Sequence, residues 1–223
     1  AEGANYRVIE FHGETIRNMP TSGRLVLCNM TVEAGATAGA VPPDAETERY
    51  LREEAGVTDP LDLFGPDADA VYDQVVEVDA ATLAPQLACP HTVDNVKPIG
   101  EVAGKKVQQI VVGSCTNGRL DDLEVAAGIL KGKRVADSTR MLVFPASWRI
   151  YAEALRLGYL ADIIAAGAVV CNPGCGPCLG VHQGALADGE TALATTNRNF
   201  KGRMGNPNAE VYLCSTAVAA ASA

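Results

Sequence analysis

The chain has 223 residues, 48% of them hydrophobic and 20% charged, with a formal net charge of −9. That mix suits a soluble globular protein of one large domain or two small ones, able to bury a core without staples. The acidic balance and the lack of a sustained basic run argue against general nucleic-acid binding, which needs clustered Lys and Arg. No apolar run reaches membrane-spanning length. Anionic metabolites stay open, because a few arginines can dominate the field inside a pocket.

Seven cysteines, an odd number, sit at Cys28, Cys89, Cys115, Cys171, Cys175, Cys178 and Cys214. With no secretory-signal pattern beside them, a disulfide framework fits poorly, and a reducing, cytoplasmic compartment is expected. The first residues, Ala1-Glu2-Gly3, lack a Met and lead almost at once into a strand-like run, which suggests a fragment or a processed product.

In chain order, YRVIEFHG (Tyr6 to Gly13) and RLVLCNM (Arg24 to Met30) read as strands, each followed by a helix-compatible segment. PDAETERYLREEAG (Pro43 to Gly56) predicts a helix with Asp44 as N-cap and Gly56 as stop. Residues 59–69 hold two prolines, one glycine and several aspartates, a surface-loop composition. QVVEVDA (Gln74 to Ala80) alternates as an edge strand does. PHTVDNVKPIG (Pro90 to Gly100) is the expected connection between two parts, 1–89 and 90–223.

Beyond it the alternation is cleaner. KVQQIVVGS is a buried strand and LDDLEVAAGILKG a helix; RMLVFPA is a strand and SWRIYAEALRLGYLADIIAAG one long helix capped by Ser147. AVVC, TALATT and EVYLCS are further strands, and an Ala-rich tail begins at Ala217. Repeated strand–helix–strand units predict an α/β layered fold with a mainly parallel sheet.

Ligands in such sheets bind where strands end and loops lead onward. Here those ends open into TVEAGA, GSCTNGR, NPGCGPC and NRNFKGRMG. Cys115 lies between a strand and a helix beginning near Leu120, where amide N–H groups and the helix dipole favour a thiolate; alone, it also reads as a small buried apolar residue. Cys175 and Cys178, in a turn stiffened by two glycines and a proline, suit three chemistries. They fit a dithiol redox pair, a zinc site completed by Cys171, Cys115 or His182, or part of an iron–sulfur site. Asn197, Arg198 and Arg203 share a Gly-containing loop, and two arginines there suit bidentate recognition of carboxylates or phosphates; the plain alternative is a solvated loop. Asn29 and Glu33 are four apart, so a helix starting near Thr31 would place them close together, although a helix start with a surface Glu is the simpler reading.

GSCTNGR, NPGCGPCLG and TTNRNFKGRMG, in this order and at these separations, resemble the aconitase superfamily, and within it the branch of 3-isopropylmalate dehydratase and homoaconitase large subunits. CNMTVEAGA and PHTVDNVKPIGEV match preceding segments of the same branch, so the resemblance covers essentially the whole chain. It implies a three-layer α/β/α fold in two subdomains, 1–89 carrying Asn29 and Glu33 and 90–223 binding a [4Fe–4S] cluster. By resemblance the cluster ligands are Cys115, Cys175 and Cys178, with one iron left open. Asn29 and Glu33 match residues lining the cluster and its bound water, Asn197 matches one near the cluster, and Arg198 and Arg203 match arginines facing substrate carboxylates. Cys28, Cys89, Cys171 and Cys214 match no ligand position.

The implied activity is that of a hydro-lyase isomerising an alkyl-substituted malate by dehydration and rehydration, with a small di- or tricarboxylate as substrate. Homoaconitase and dimethylmalate dehydratase large subunits are the neighbouring alternatives. Family large subunits carry an N-terminal half with active-site Asp and His residues, and His12, His91 and His182 do not occupy those motifs. The swivelling domain that supplies a serine base belongs to a separate small subunit in this branch. Both missing parts are therefore expected partners, and the chain alone is expected to be inactive. Two other classes compete: a non-catalytic cluster- or zinc-binding module acting through a partner, and a plain dithiol oxidoreductase. Supplying the missing parts separates the first, and a requirement for Cys115 separates the second.

Overall fold

The computed structural model describes residues 2–223. The chain forms two compact units, one ending at Ala84 and the other spanning Pro85–Ala223.

The first unit begins with β1 (Val8–Glu10), α1 (Glu14–Arg17) and α2 (Thr21–Met30), the last running into a one-turn 3₁₀ helix, Thr31–Ala34. β2 (Ala38–Ala40) pairs in parallel with β1, Val8 opposite Ala38. α3 (Ala45–Arg49) continues as a π-helical turn, Tyr50–Glu54. The expected strand over Arg24 to Met30 is therefore a helix. A short apolar run fits either state, and here Arg24 decides. Arg24 is only 4% exposed, yet each of its three side-chain nitrogens donates. Nε donates to Met19 O, Nη1 and Nη2 grip Asp44 at 2.7 and 2.8 Å, and Nη2 also donates to Arg17 O.

Asp44 is the N-cap the sequence predicts. Its Oδ1 accepts from the backbone N–H of Glu46 and Thr47, and the Thr47 hydroxyl accepts from the Asp44 N–H, closing a capping box. The Arg24 guanidinium and these amides hold the Asp44 carboxyl down at about 2. Glu46, gripped by Arg49 and by Thr21, is likewise lowered to about 2. A carboxyl lowered in the folded state stabilises fully above its unfolded value of about 4, and that stabilisation is lost as pH falls toward the folded value. The melting temperature should thus hold from neutral pH to about 4.5 and drop between about 4.5 and 2, with Asp44 supplying up to about 2 kcal/mol of the drop. Asp44→Asn should flatten part of that slope in thermal scans across pH; an unchanged slope would uncouple the pair from folding.

Residues 59–69 are irregular, as expected, but Gln74 to Ala80 do not form a strand. Val75 and Val76 are each 72% exposed, and no ladder partner exists among the described residues. A strand needs a neighbour for its backbone donors and acceptors, so alternation alone was insufficient. The segment ends in a 3₁₀ turn, Ala80–Thr82, capped by Asp79.

The second unit opens with the antiparallel pair β3 (Gln86–Ala88) and β4 (Val96–Pro98), followed by α4 (Ile99–Val102). Residues 90–100 thus contribute the β3–β4 turn, β4 and the start of α4. Then come β5 (Gln109–Val112), α5 (Leu120–Leu130), β6 (Arg140–Val143), α6 (Trp148–Arg156), α7 (Tyr159–Ala165), β7 (Val169–Val170), β8 (Thr191–Ala194), β9 (Glu210–Leu213) and α8 (Thr216–Ala221). Ser147 caps α6 as expected, accepting from Ile150 N–H. The long helix read from Ser147 onward is two helices, because Gly158 takes a left-handed φ of 83° between them.

The seven strands order β4-β3-β9-β8-β5-β6-β7, and the run from β9 to β7 is parallel. The mainly parallel α/β sheet is as predicted. Alternate residues feed two cores. Ile110, Val112, Met141, Val143, Leu193 and Tyr212 face α5 to α8, whereas Val111, Leu142, Ala192, Ala194, Val211 and Leu213 pack with Phe144, Cys171, Leu186 and Met204 from the loop segments opposite. β5 is followed on one side by β6 and β7, while β8 returns to its other side. The chain therefore leaves β5 and β8 in diverging directions, the switch point at which open α/β sheets form a crevice. No helix among the described residues is long and apolar enough to cross a membrane.

Candidate active site at the carboxyl ends of the parallel strands

The loop from Gly113 to Arg119 leaves β5 at that crevice. Its frame is the Thr195 hydroxyl, which accepts from Gly113 N–H at 2.9 Å and donates to Gly113 O at 2.8 Å. Asn117 Nδ2 donates to Thr195 O and, at 2.8 Å, to Asn197 Oδ1. The Thr116 hydroxyl reaches the same Asn197 oxygen at 3.0 Å. Cys115, at the crest of this loop, is exposed. The β5 and β8 loops are thereby tied together across 78–82 residues of sequence.

A second loop leaves β7. Cys171 N–H donates to Val143 O, ending the ladder, and Gly176–Leu179 form a one-turn 3₁₀ helix with Cys175 at its N-cap. Cys175 is exposed and Cys178 half-buried. Fully buried Phe144 is the common support. A Cβ on Gly176 would lie 2.7 Å from its ring, and one on Gly118 would lie 2.2 Å from its carbonyl oxygen. Only glycine lets both loops sit this close to Phe144.

The third loop follows β8. Thr195, Thr196, Asn197 and Asn199 are buried, Arg198 is half-buried, and the loop brings Arg203 Nη2 to 3.8 Å from Cys178 Sγ. The Arg203 guanidinium also lies over the Phe200 ring, 5.2 Å from its centroid. Asn199 Nδ2 donates to Cys89 O at 2.9 Å, with Ala88 O and Thr92 O at 3.3 Å, so it clamps the β3–β4 turn against this loop. Asn199 and Thr195 escaped the sequence reading, since both act on backbone groups far away in the chain and no local motif marks such a role.

The second unit thus gathers Cys115, Cys175, Cys178, Asn197, Arg198 and Arg203 on loops from one end of its sheet. Asn29 and Glu33 belong to the first unit, Asn29 in the last turn of α2 and Glu33 in the 3₁₀ turn after it, rather than together in a helix starting near Thr31. His12, His91 and His182 are all exposed.

The donor chemistry suits an iron–sulfur group. The three cysteines on the site loops are free and at least partly accessible, a soft all-thiol set. Burial instead pushes the Cys28 and Cys171 thiols up, and Cys214 up to about 12, which keeps them protonated and inert. Among the described residues, no three His, Cys, Asp or Glu side chains converge as a single ion would require. A cluster asks each thiolate to reach a different iron. Around these loops several buried polar atoms have no partner among the described residues: Arg203 Nε, Thr196 Oγ1, Asn199 Oδ1 and, at the end of the Cys115 loop, Arg119 Nε. Buried donors are seldom left unpaired, and the Arg203 N–H is the kind of group that a bound anion satisfies.

The sequence model of the aconitase family (aconitate hydratase) matches residues 1–223. A probable 3-isopropylmalate dehydratase large subunit from Methanothermobacter thermautotrophicus is 54% identical over 223 residues, a match covering 100% of this chain and 53% of the relative. The 3-isopropylmalate dehydratase large subunit 2 of Archaeoglobus fulgidus is 51% identical, covering 100% and 53%. The corresponding large subunit of Thermodesulfovibrio yellowstonii is 52% identical, covering 99% and 52%. The chain spans about half the length of the curated relatives it matches. With a family match along its full length and such identity throughout, the chain belongs to the aconitase family.

Proposed function

We propose that the chain is part of the large subunit of a [4Fe–4S] hydro-lyase that isomerises an alkyl-substituted malate, as in 3-isopropylmalate dehydratase. The observation that carries this reading is the meeting of three loops at the β5/β8 crevice, in a chain about 50% identical to such large subunits from end to end.

Cys115, Cys175 and Cys178 would hold the cluster. When bound, it supplies a Lewis acid that helps a substrate hydroxyl leave as water. The remaining work falls to side chains. Arg203 presents a guanidinium edge whose Nε has no partner among the described residues, a group suited to a two-point grip on a carboxylate. Arg198, half-buried five residues earlier in the same loop, is assigned the second carboxylate from its match to the family motif, which would keep the carbon skeleton oriented between loss and readdition of water. Stacking on Phe200 limits the freedom of the Arg203 head group. Asn29 and Glu33 are assigned to the same reaction on the strength of CNMTVEAGA alone. The relatives are named large subunits, which supports a small-subunit partner, and their length supports a further half of this polypeptide; the proton-abstracting base is assigned to those parts. A cytoplasmic setting suits an exposed, reduced thiol set.

Co-expression with the remaining half and a small subunit, followed by anaerobic loading with iron and sulfide, tests the reading. The assembly should convert an alkyl-substituted malate through an unsaturated diacid seen by its ultraviolet absorption, and the chain alone should give none. Turnover by the chain alone, or an inert loaded assembly, would overturn the proposal.

A further inference from the structure

The second unit has a cavity of about 430 Å³ at the amino ends of its parallel strands, the opposite ends from the cysteine loops. Gln108 stands just before β5, Thr139 just before β6, and Thr191 opens β8; β3, α4, β9 and α8 complete the walls. The volume falls within the range of about 300–1,000 Å³ of small-molecule sites. Leu87, Ile99, Val102, Val107, Leu193 and Val218 line it with hydrocarbon, all of them in or packed against the core under α5 to α8.

The uncommitted polar groups of the wall can all donate. Gln108 accepts from Thr191 N–H at 2.9 Å, and because that N–H can only donate, the Gln108 atom facing it is the amide oxygen. Its NH₂ then has no partner among the described residues. Thr191 is only 8% exposed, and its hydroxyl also has no hydrogen-bond partner among them. Lys106, two residues before Gln108, is exposed at the rim and makes no ion pair among the described residues. Lys105 is already spoken for: its Nζ meets Glu210 at 2.5 Å and the Tyr212 hydroxyl, 4.7 Å from the centre of the Tyr212 ring. No Asp or Glu among the described residues lines the cavity, in a chain with 27 acidic and 18 basic residues.

We propose that this cavity is a second ligand site, for a small monocarboxylate with an aliphatic tail. The tail buries against Val102, Leu193 and Val218, and the carboxylate takes the Lys106 ammonium with the Gln108 and Thr191 donors. Hydrocarbon walls beside one patch of donors disfavour a diacid, whose second carboxylate would be buried unpaired. The ligand thus differs in class from the diacid assigned to the crevice, and the site needs neither the cysteines nor iron.

The test is a titration of the methyl-labelled chain with hexanoate, followed by NMR. The methyl signals of Val102, Leu193 and Val218 should shift with a dissociation constant of about 1 mM or tighter. Hexylammonium should leave them in place, and adipate, the diacid of equal carbon count, should bind about tenfold or more weakly. Lys106→Glu should weaken hexanoate binding by about tenfold or more, and Val102→Trp, which fills the cavity, should abolish it. Should Val102→Trp fail to fold, Lys106→Glu decides, since Lys106 is exposed and supports no contact of the fold. No binding, shifts confined to other methyls, adipate binding as tightly as hexanoate, or wild-type affinity in Lys106→Glu each overturns the proposal. The assembly with the remaining half and the small subunit should bind hexanoate equally; loss of binding there makes the cavity an internal face and overturns the proposal as well. None of these failures touches the cluster reading, and Cys115→Ser should bind hexanoate as the wild type does.

Discussion

Each of Cys115→Ser, Cys175→Ser and Cys178→Ser is expected to abolish the broad visible absorption that the protein gains on anaerobic treatment with iron and sulfide. Cys89→Ser and Cys214→Ser should leave it intact. Two thiolates and a serine hydroxyl make a poor set, since the hydroxyl stays protonated at neutral pH and the soft thiolate is what iron–sulfur ligation uses. Neither Cys89 nor Cys214 is a ready replacement. Cys89 is buried at the start of the turn that Asn199 clamps, and burial drives the Cys214 thiol up to about 12. Iron and acid-labile sulfide assays should fall with the colour. Full absorption in Cys115→Ser would show that the third ligand lies elsewhere. Zinc uptake without colour would favour the metal-module reading, and full activity without any metal would favour a dithiol pair.

The motifs of the site were legible because each is local. GSCTNGR, NPGCGPC and NRNFKGR are short turns that follow strands, and the sheet needs only to place those strand ends side by side. What joins the turns was not legible. That Asn117 would meet Asn197, or that Asn199 would reach Cys89 O, depends on β8 lying beside β5 and β3 beside β9, an order that local patterns do not encode. The same limit explains the errors of secondary structure. Leu25 to Leu27 look like a buried strand until Arg24 is seen to bury its guanidinium against Asp44, twenty residues on. Gln74 to Ala80 alternate like a strand but find no ladder among the described residues. By contrast, Asp44 and Ser147 were read correctly as caps, since a cap acts within three residues.

Arg203→Lys in the assembled enzyme is expected to cut kcat/KM by roughly ten- to a hundredfold while leaving the cluster absorption in place. The substitution keeps the positive charge, so a purely electrostatic role would predict little change. The geometry predicts more. Arg203 uses one corner, Nη2, on Cys178 Sγ at 3.8 Å, while its Nε is buried without a partner among the described residues. A planar fork can serve sulfur and carboxylate from different edges at once, whereas an ammonium is a single point that must choose. Losing a charged hydrogen bond costs about 1.5–3 kcal/mol, which is the quoted range of rate. A carboxylate gripped equally in the ground and transition states is uniform binding, so the loss should fall mainly on KM and leave kcat little changed. Arg198→Lys should act in the same direction if that residue holds the second carboxylate. Steady-state kinetics on assemblies matched for iron content would decide, and unchanged kcat/KM in Arg203→Lys would reduce its loop to a solvated connector.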